Sequence, residues 1–188
     1  MKKSKIYLLL CLFFFTIHTN AQESISTPFQ SDKITVGIGG GMDFGGFGAN
    51  VLVYPQKNFG LFAGAGYAIA GFGFNAGAKI RLVSNKPTSK FSPYALAMYG
   101  YNAAIAVTNA DQYNKLFYGP SVGIGFDYSK KPEKKGYLSI ALLIPLRKPE
   151  VESYMDNLTR NHGVQFQNDL PPVGISIGYR IIIDNLIK

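Results

Sequence analysis

From residue 33 onward the chain alternates large apolar residues with small or polar ones, with a period of two rather than 3.6. No segment after residue 21 carries a convincing helical period. The alternation falls into eight stretches, about 33–43, 46–54, 59–69, 72–84, 91–101, 117–129, 137–147 and 172–183. Each predicts a β-strand. They are longer than the ~5–6 residues usual in soluble sheets and near the ~9–11 that cross a bilayer at a tilt.

The two faces of these strands are unusual. In 117–129, Tyr118, Pro120, Val122, Ile124, Phe126 and Tyr128 alternate with Gly119, Ser121, Gly123, Gly125, Asp127 and Ser129. In 172–183, Ile175, Ile177, Tyr179, Ile181 and Ile183 alternate with Gly174, Ser176, Gly178 and Arg180. In 72–84, Phe72, Phe74, Ala76, Ala78, Ile80 and Leu82 oppose Gly73, Asn75, Gly77, Lys79 and Arg81. In 137–147, Leu138, Ile140, Leu142, Ile144 and Leu146 oppose Ser139, Ala141, Leu143 and Arg147. A soluble barrel fills its inside with large apolar residues and coats its outside with Lys, Glu and Thr. Here the second face is mostly Gly, Ser and Ala, which is a poor water-facing surface but suits the crowded inside of a narrow barrel. The large apolar face then meets lipid.

Charge placement agrees. Apart from the strand-end residues Lys33, Asp43 and Arg147, the strand bodies hold only Lys79, Arg81, Asp127 and Arg180, all on the small-residue phase. They predict a polar network in the lumen, structural in role, with Asp127 as candidate counter-ion of Arg180 and with Asp43, tyrosines or water sharing the work. A narrow ion-conducting path is the sharper alternative. The stretch 91–101 is ambiguous: either Tyr94, Leu96 and Met98 or Ala95, Ala97, Tyr99 and Tyr101 face lipid.

The connections alternate in length. "PQKN", "NKPTSK" and "KKPEKKG" carry turn chemistry, whereas 102–116 and 148–171 are long and share the other end, as expected of extracellular loops. Tyr54, Phe59, Tyr128 and Tyr137 near the turns, and Phe47, Phe72, Phe117 and Tyr118 near the other end, predict two interfacial girdles.

The first 21 residues read differently. Lys2, Lys3 and Lys5 precede the apolar run 6–15, and Thr19-Asn20-Ala21 offers a cleavage site before Gln22. That is a secretory signal peptide, with the run too short to span a bilayer, and 22–188 as the mature barrel domain. Cys11, the sole cysteine, leaves with it, so neither a disulfide nor thiolate chemistry is expected. Removing the three signal lysines from the 19 basic residues leaves 16 against 11 acidic ones, a mild excess without the basic–aromatic interleaving of a nucleic-acid site. With 21 glycines, 14 Phe, 12 Tyr and 16% charged residues, the surface is ill suited to water.

Few residues point to chemistry. "GFGFNA" at 71–76 resembles a dinucleotide fingerprint, but a strand follows it where a helix is required. His162 is the only mature histidine; with Glu152, Ser153 and Asp156 nearby in sequence, an outer-leaflet lipid hydrolase is the enzymatic alternative. One histidine and no cysteine argue against a transition-metal site. "NLT" at 157–159 is a eukaryotic glycosylation sequon and is given little weight. Lys130, Lys131, Lys134 and Lys135 form a solvated turn, with attraction to anionic headgroups as the functional alternative.

Taken together, the mature chain resembles the small eight-stranded outer-membrane β-barrel proteins of Gram-negative bacteria. Ser176, Gly178, Ile181 and Ile183 occupy the polar-x-Gly-x-x-hydrophobic-x-hydrophobic positions of that family's C-terminal insertion signal. Many members end on an aromatic, whereas here "DNLIK" follows Ile183. The resemblance implies an all-β, antiparallel, up-and-down transmembrane barrel of eight strands, inserted by the barrel assembly machinery. Its partners would be outer-membrane lipids and lipopolysaccharide, with no cofactor. The family includes inert barrels, adhesins and a few lipid-modifying enzymes. The expected role is non-enzymatic, structural or surface-interacting through the long loops. A soluble exported ligand-binding barrel is a further alternative.

Overall fold

The structure, a computed structural model, describes residues 33–82, 90–130, 136–166 and 170–183. Residues 1–21, expected to be a signal peptide, lie outside the described residues, as do Lys131, Lys134 and Lys135. Eight strands close into one barrel in sequence order. They are β1 (Ile34–Gly41), β2 (Gly46–Gln56), β3 (Phe59–Ala68), β4 (Gly71–Arg81), β5 (Phe91–Ile105), β6 (Lys115–Tyr128), β7 (Gly136–Pro145) and β8 (Gly174–Ile182). Every neighbouring pair is antiparallel, including the closing pair of β1 and β8. Closure leaves no free sheet edge. The β2–β3, β4–β5 and β6–β7 connections, the start of β1 and the end of β8 share one end of the barrel, called the turn end below; the other is the cap end.

The register joins like phases around the wall: Val51 pairs with Ala63, Ala63 with Ala76, Ala76 with Tyr99 and Tyr99 with Pro120. That phase points outward. Ile124 is 66% exposed, Ile175 64% and Phe72 67%, while Leu52 and Leu143, on the other phase, are fully buried. In β5 it is Tyr94, Leu96 and Met98 that turn inward, and Tyr99 that is exposed. Within the strands the charged side chains are Lys79, Arg81, Lys115, Asp127 and Arg180; all but Lys115 are buried. Lys115 stands at the cap-end tip of β6.

Three expectations need correction. First, 102–116 is not one long loop, because β5 and β6 continue into it: Ala103 pairs with Phe117, Ala104 with Leu116 and Ile105 with Lys115. A bulge between Tyr101 and Ala103 shifts the register and breaks the period-two signal there. Second, 148–171 contains a helix, α1 (Pro149–His162). Pro149 starts it, Glu150 and Glu152 occupy its first turn, and Arg160 and His162 its last, each favourable to the helix dipole. Gly163, in the left-handed region at φ 66°, closes it. Third, Tyr54, Tyr137 and Phe117 are buried rather than part of an outer girdle. The two tyrosines serve a buried cation in the lumen, and Phe117 packs beneath α1.

The helix caps the projecting β5–β6 hairpin. Val151 and Leu158, on one helix face, pack with Ala103, Ile105 and Phe117 in a second core separate from the lumen. The Tyr154 ring meets Phe117 edge-on at 5.5 Å. Burying each of Val151 and Leu158 contributes about 1.5–3 kcal/mol, enough to hold a short helix that would be marginal alone. Arg147 fixes its return segment, donating to the carbonyls of Asn102 (3.4 Å), Leu170 (3.4 Å) and Pro171 (2.7 Å). Partial burial lowers its pKa below the usual guanidinium value, yet an arginine remains charged.

Candidate functional site

The lumen is filled in two tiers. The lower tier, toward the turn end, is centred on Asp127 of β6. Lys79 of β4 donates to both its carboxylate oxygens, at 2.8 and 2.9 Å, and the Arg81 guanidinium lies 3.7 Å away. Three tyrosines complete it. The Lys79 ammonium sits 3.6 Å from the Tyr94 ring centroid and the Arg81 guanidinium 3.9 Å from that of Tyr54. Arg81 also donates to the Tyr137 hydroxyl at 3.4 Å. The Tyr94 hydroxyl donates to the Ile140 carbonyl at 3.2 Å and lies 2.9 Å from the Ser139 hydroxyl. Aromatic faces and one carboxylate thus surround two buried cations.

The upper tier is built by a segment that the pattern reads as the end of the strand 33–43 and a short connection to the next. Between β1 and β2, Met42–Phe44 forms a 3-10 turn with all three residues buried, folded back into the lumen. Asp43 lies 3.6 Å from the Arg180 guanidinium. Arg180 also donates to the Asn50 side-chain oxygen and reaches over the Phe44 ring, 5.5 Å from its centroid. Asn50 donates to the Asp43 carbonyl at 3.1 Å, and Asn75 donates to the Met42 carbonyl. Arg180 therefore pairs with Asp43 and not with the expected Asp127. Lys79 and Arg81 already engage Asp127, and the inward turn brings a second carboxylate within reach of β8.

This turn explains part of the glycine-rich inner phase. A Cβ at Gly64 would collide with the Asp43 carbonyl, and one at Gly178 with the Phe44 ring. Gly45, at φ 72°, ends the 3-10 turn in the left-handed region that favours glycine. The glycines make room for a plug as well as for crowded strands. Phe44 and Asn50 are the lumen residues that sequence reasoning passed over, while the pattern puts Asn75 on the inner phase and counts Asp43 among the residues sharing the work, neither with a specific partner. The one signal of the inward turn is "GGGMDFGGFG", in which Met42, Asp43 and Phe44 stand isolated between glycine runs.

The other predicted positions are as follows. Ser176 is buried, Gly178 faces Phe44 and Ile181 points outward, 48% exposed. Ile183, just beyond β8, donates its N–H to the Ile34 carbonyl at 3.1 Å. His162 ends α1, its Nδ1 3.0 Å from the Tyr113 hydroxyl and its ring 4.7 Å from the Tyr113 ring. Glu152, Ser153 and Asp156 lie on the same helix, but none of them hydrogen-bonds His162; Tyr113 is its partner. Among the described residues no group of three His, Cys, Asp or Glu side chains could hold a metal ion.

Fold and lumen define a closed, eight-stranded antiparallel β-barrel with a filled interior and one capping helix. No family model, no curated protein and no solved structure matches the chain.

Proposed function

We propose that this protein is an integral outer-membrane β-barrel of a Gram-negative envelope, exported by residues 1–21 and without enzymatic activity. Its role is structural or surface-interacting, carried by the cap end, where α1 and the β5–β6 hairpin project. The observation that carries this reading is the composition of the barrel wall. At least 25 large apolar side chains among the described residues are exposed, most of them on the outward phase, and no charged side chain interrupts that phase inside the barrel. Monomeric soluble proteins rarely expose a contiguous apolar patch beyond a few hundred Å². This wall runs around the barrel, and lipid is the medium that suits it.

A filled lumen accords with eight strands, whose interior is just wide enough for side chains. Two tiers plus the inward turn leave the pore alternative without a described path, and planar-bilayer recording on the full chain is expected to show no conductance. The outward Ile181 and the half-buried Ile183 suit recognition by the barrel assembly machinery, and the cap end would meet lipopolysaccharide.

An alkaline carbonate wash of cell envelopes tests the proposal. The protein is expected in the carbonate-resistant membrane pellet and is released by detergent. Recovery in the soluble fraction without detergent would replace this reading with the soluble barrel.

A further inference from the structure

The described charges sort along the barrel axis. At the cap end four carboxylates, Asp111, Glu150, Glu152 and Asp156, are offset by four basic side chains. The lumen holds two aspartates and three cations. At the turn end stand Lys33, Lys57, Lys90 and Lys130, all exposed, and no acid among the described residues. Among the described residues the two rims thus differ by about four charges, a polarity that solubility, which either sign would serve, does not explain.

The four lysines are distributed around the rim. Lys33 precedes β1, its carbonyl accepting from the Tyr54 N–H of β2 at 2.7 Å, and Lys57 turns β2 into β3. Lys90 precedes β5, its carbonyl accepting from the Ser129 N–H at 3.0 Å just past β6, and Lys130 follows. Two pairs therefore sit on well-separated arcs of the eight-strand ring. Next to Lys90 and Lys130 the wall carries Phe91, Phe126 and Tyr128, with ring centroids 5.7 and 4.9 Å from Phe91. Aromatic rings at the wall with ammonium groups just beyond them match the order of materials at a membrane interface, acyl chain and then headgroup. A lysine lays its stem along apolar surface and keeps its ammonium at that level.

We propose that this lysine collar binds anionic phospholipid headgroups of the leaflet at the turn end. The proposal rests on the membrane reading above. Each lysine near an anionic surface is worth about a fivefold gain in local preference. The attraction is one of charge, so salt weakens it.

The test uses the full chain in nanodiscs of equimolar phosphatidylcholine and phosphatidylglycerol, with the lipid retained after mild detergent extraction quantified by mass spectrometry. Phosphatidylglycerol is expected to be enriched at least about fivefold over phosphatidylcholine at low salt, and the enrichment is expected to vanish at high salt. It is also expected to fall sharply in the Lys33→Gln/Lys57→Gln/Lys90→Gln/Lys130→Gln variant and to persist in Lys115→Gln/Lys148→Gln at the cap end. Equal retention of both lipids by the inserted wild type, enrichment indifferent to salt, or enrichment that survives the turn-end variant would each overturn the collar. Should that variant not fold, the salt series on the wild type decides. A chain that never enters the bilayer overturns the membrane reading itself, so the two failures are distinguishable.

Discussion

Replacing Asp127 by Asn removes one charge and almost no volume, and the lower tier predicts the consequence. Asp127 faces Lys79 at 2.8 Å and Arg81 at 3.7 Å, and all three side chains are buried. At an effective dielectric constant near 20 those attractions amount to about 6 and about 4.5 kcal/mol. Much of that is offset by the cost of desolvating the charges. Removing one partner of a buried pair nonetheless destabilises by about 3–5 kcal/mol, because the remaining charge is left uncompensated. Here two cations are left, although Tyr94, Tyr54 and Tyr137 still shield them, so about 3 kcal/mol is the expected loss. Urea titration in lipid vesicles, following the folded band by unheated gel mobility, reads it as a lower midpoint at unchanged slope. Lys79→Met with Asp127→Leu removes the closest pair together and is expected to recover at least about 1.5 kcal/mol relative to the sum of the single losses. Asp127→Asn within about 0.5 kcal/mol of wild type, or an additive double variant, would refute the assignment of Asp127 as the counter-ion of this tier.

Three other outcomes follow from the same geometry. Ile124→Arg places a guanidinium on the outer wall near mid-height and is expected to cost about 2–4 kcal/mol in lipid, whereas Phe72→Arg at the cap-end rim costs about 0–1 kcal/mol; equal effects in the same urea titration would contradict a bilayer around the wall. Gly64→Leu forces a side chain into the Asp43 carbonyl and is expected to destabilise by about 1–3 kcal/mol through overpacking, while Gly163→Ala, with open space around its Cβ position, costs only what its left-handed backbone imposes. Arg147→Ala releases three carbonyls of the cap and is expected to raise proteolysis between α1 and β8 while leaving the urea midpoint of the barrel unchanged.

Much of the barrel was legible because period-two patterning is imposed by closure: every strand has one face in and one face out, and a charge such as Arg180 marks the inside. The facing of β5 was not legible, since Tyr94 and Tyr99 are alike in size and only burial tells them apart. The strand extension at 102–105 was hidden by a bulge that reverses the phase. The helix left a faint trace: Val151, Tyr154, Met155 and Leu158 stand at i, i+3, i+4 and i+7, but four apolar positions in a polar segment read equally well as a loop. The inward turn was the largest omission. Whether a four-residue connection folds outward or into a lumen depends on what the surrounding wall offers, namely Gly64, Gly178, Asn75 and Arg180, which are remote in sequence. The pairing of Arg180 changed for the same reason.

The chain has no tryptophan, so a single introduced one is a clean reporter of which face meets lipid. Ile124→Trp lies on the outer phase and Phe62→Trp on the buried inner phase. In vesicles carrying acyl chains brominated near the bilayer centre, Trp at 124 is expected to emit at short wavelength and to be strongly quenched, and Trp at 62 to be quenched little. If Trp at 124 is instead quenched by aqueous iodide and untouched by the brominated lipid, the outer wall faces water and the membrane-barrel account is wrong.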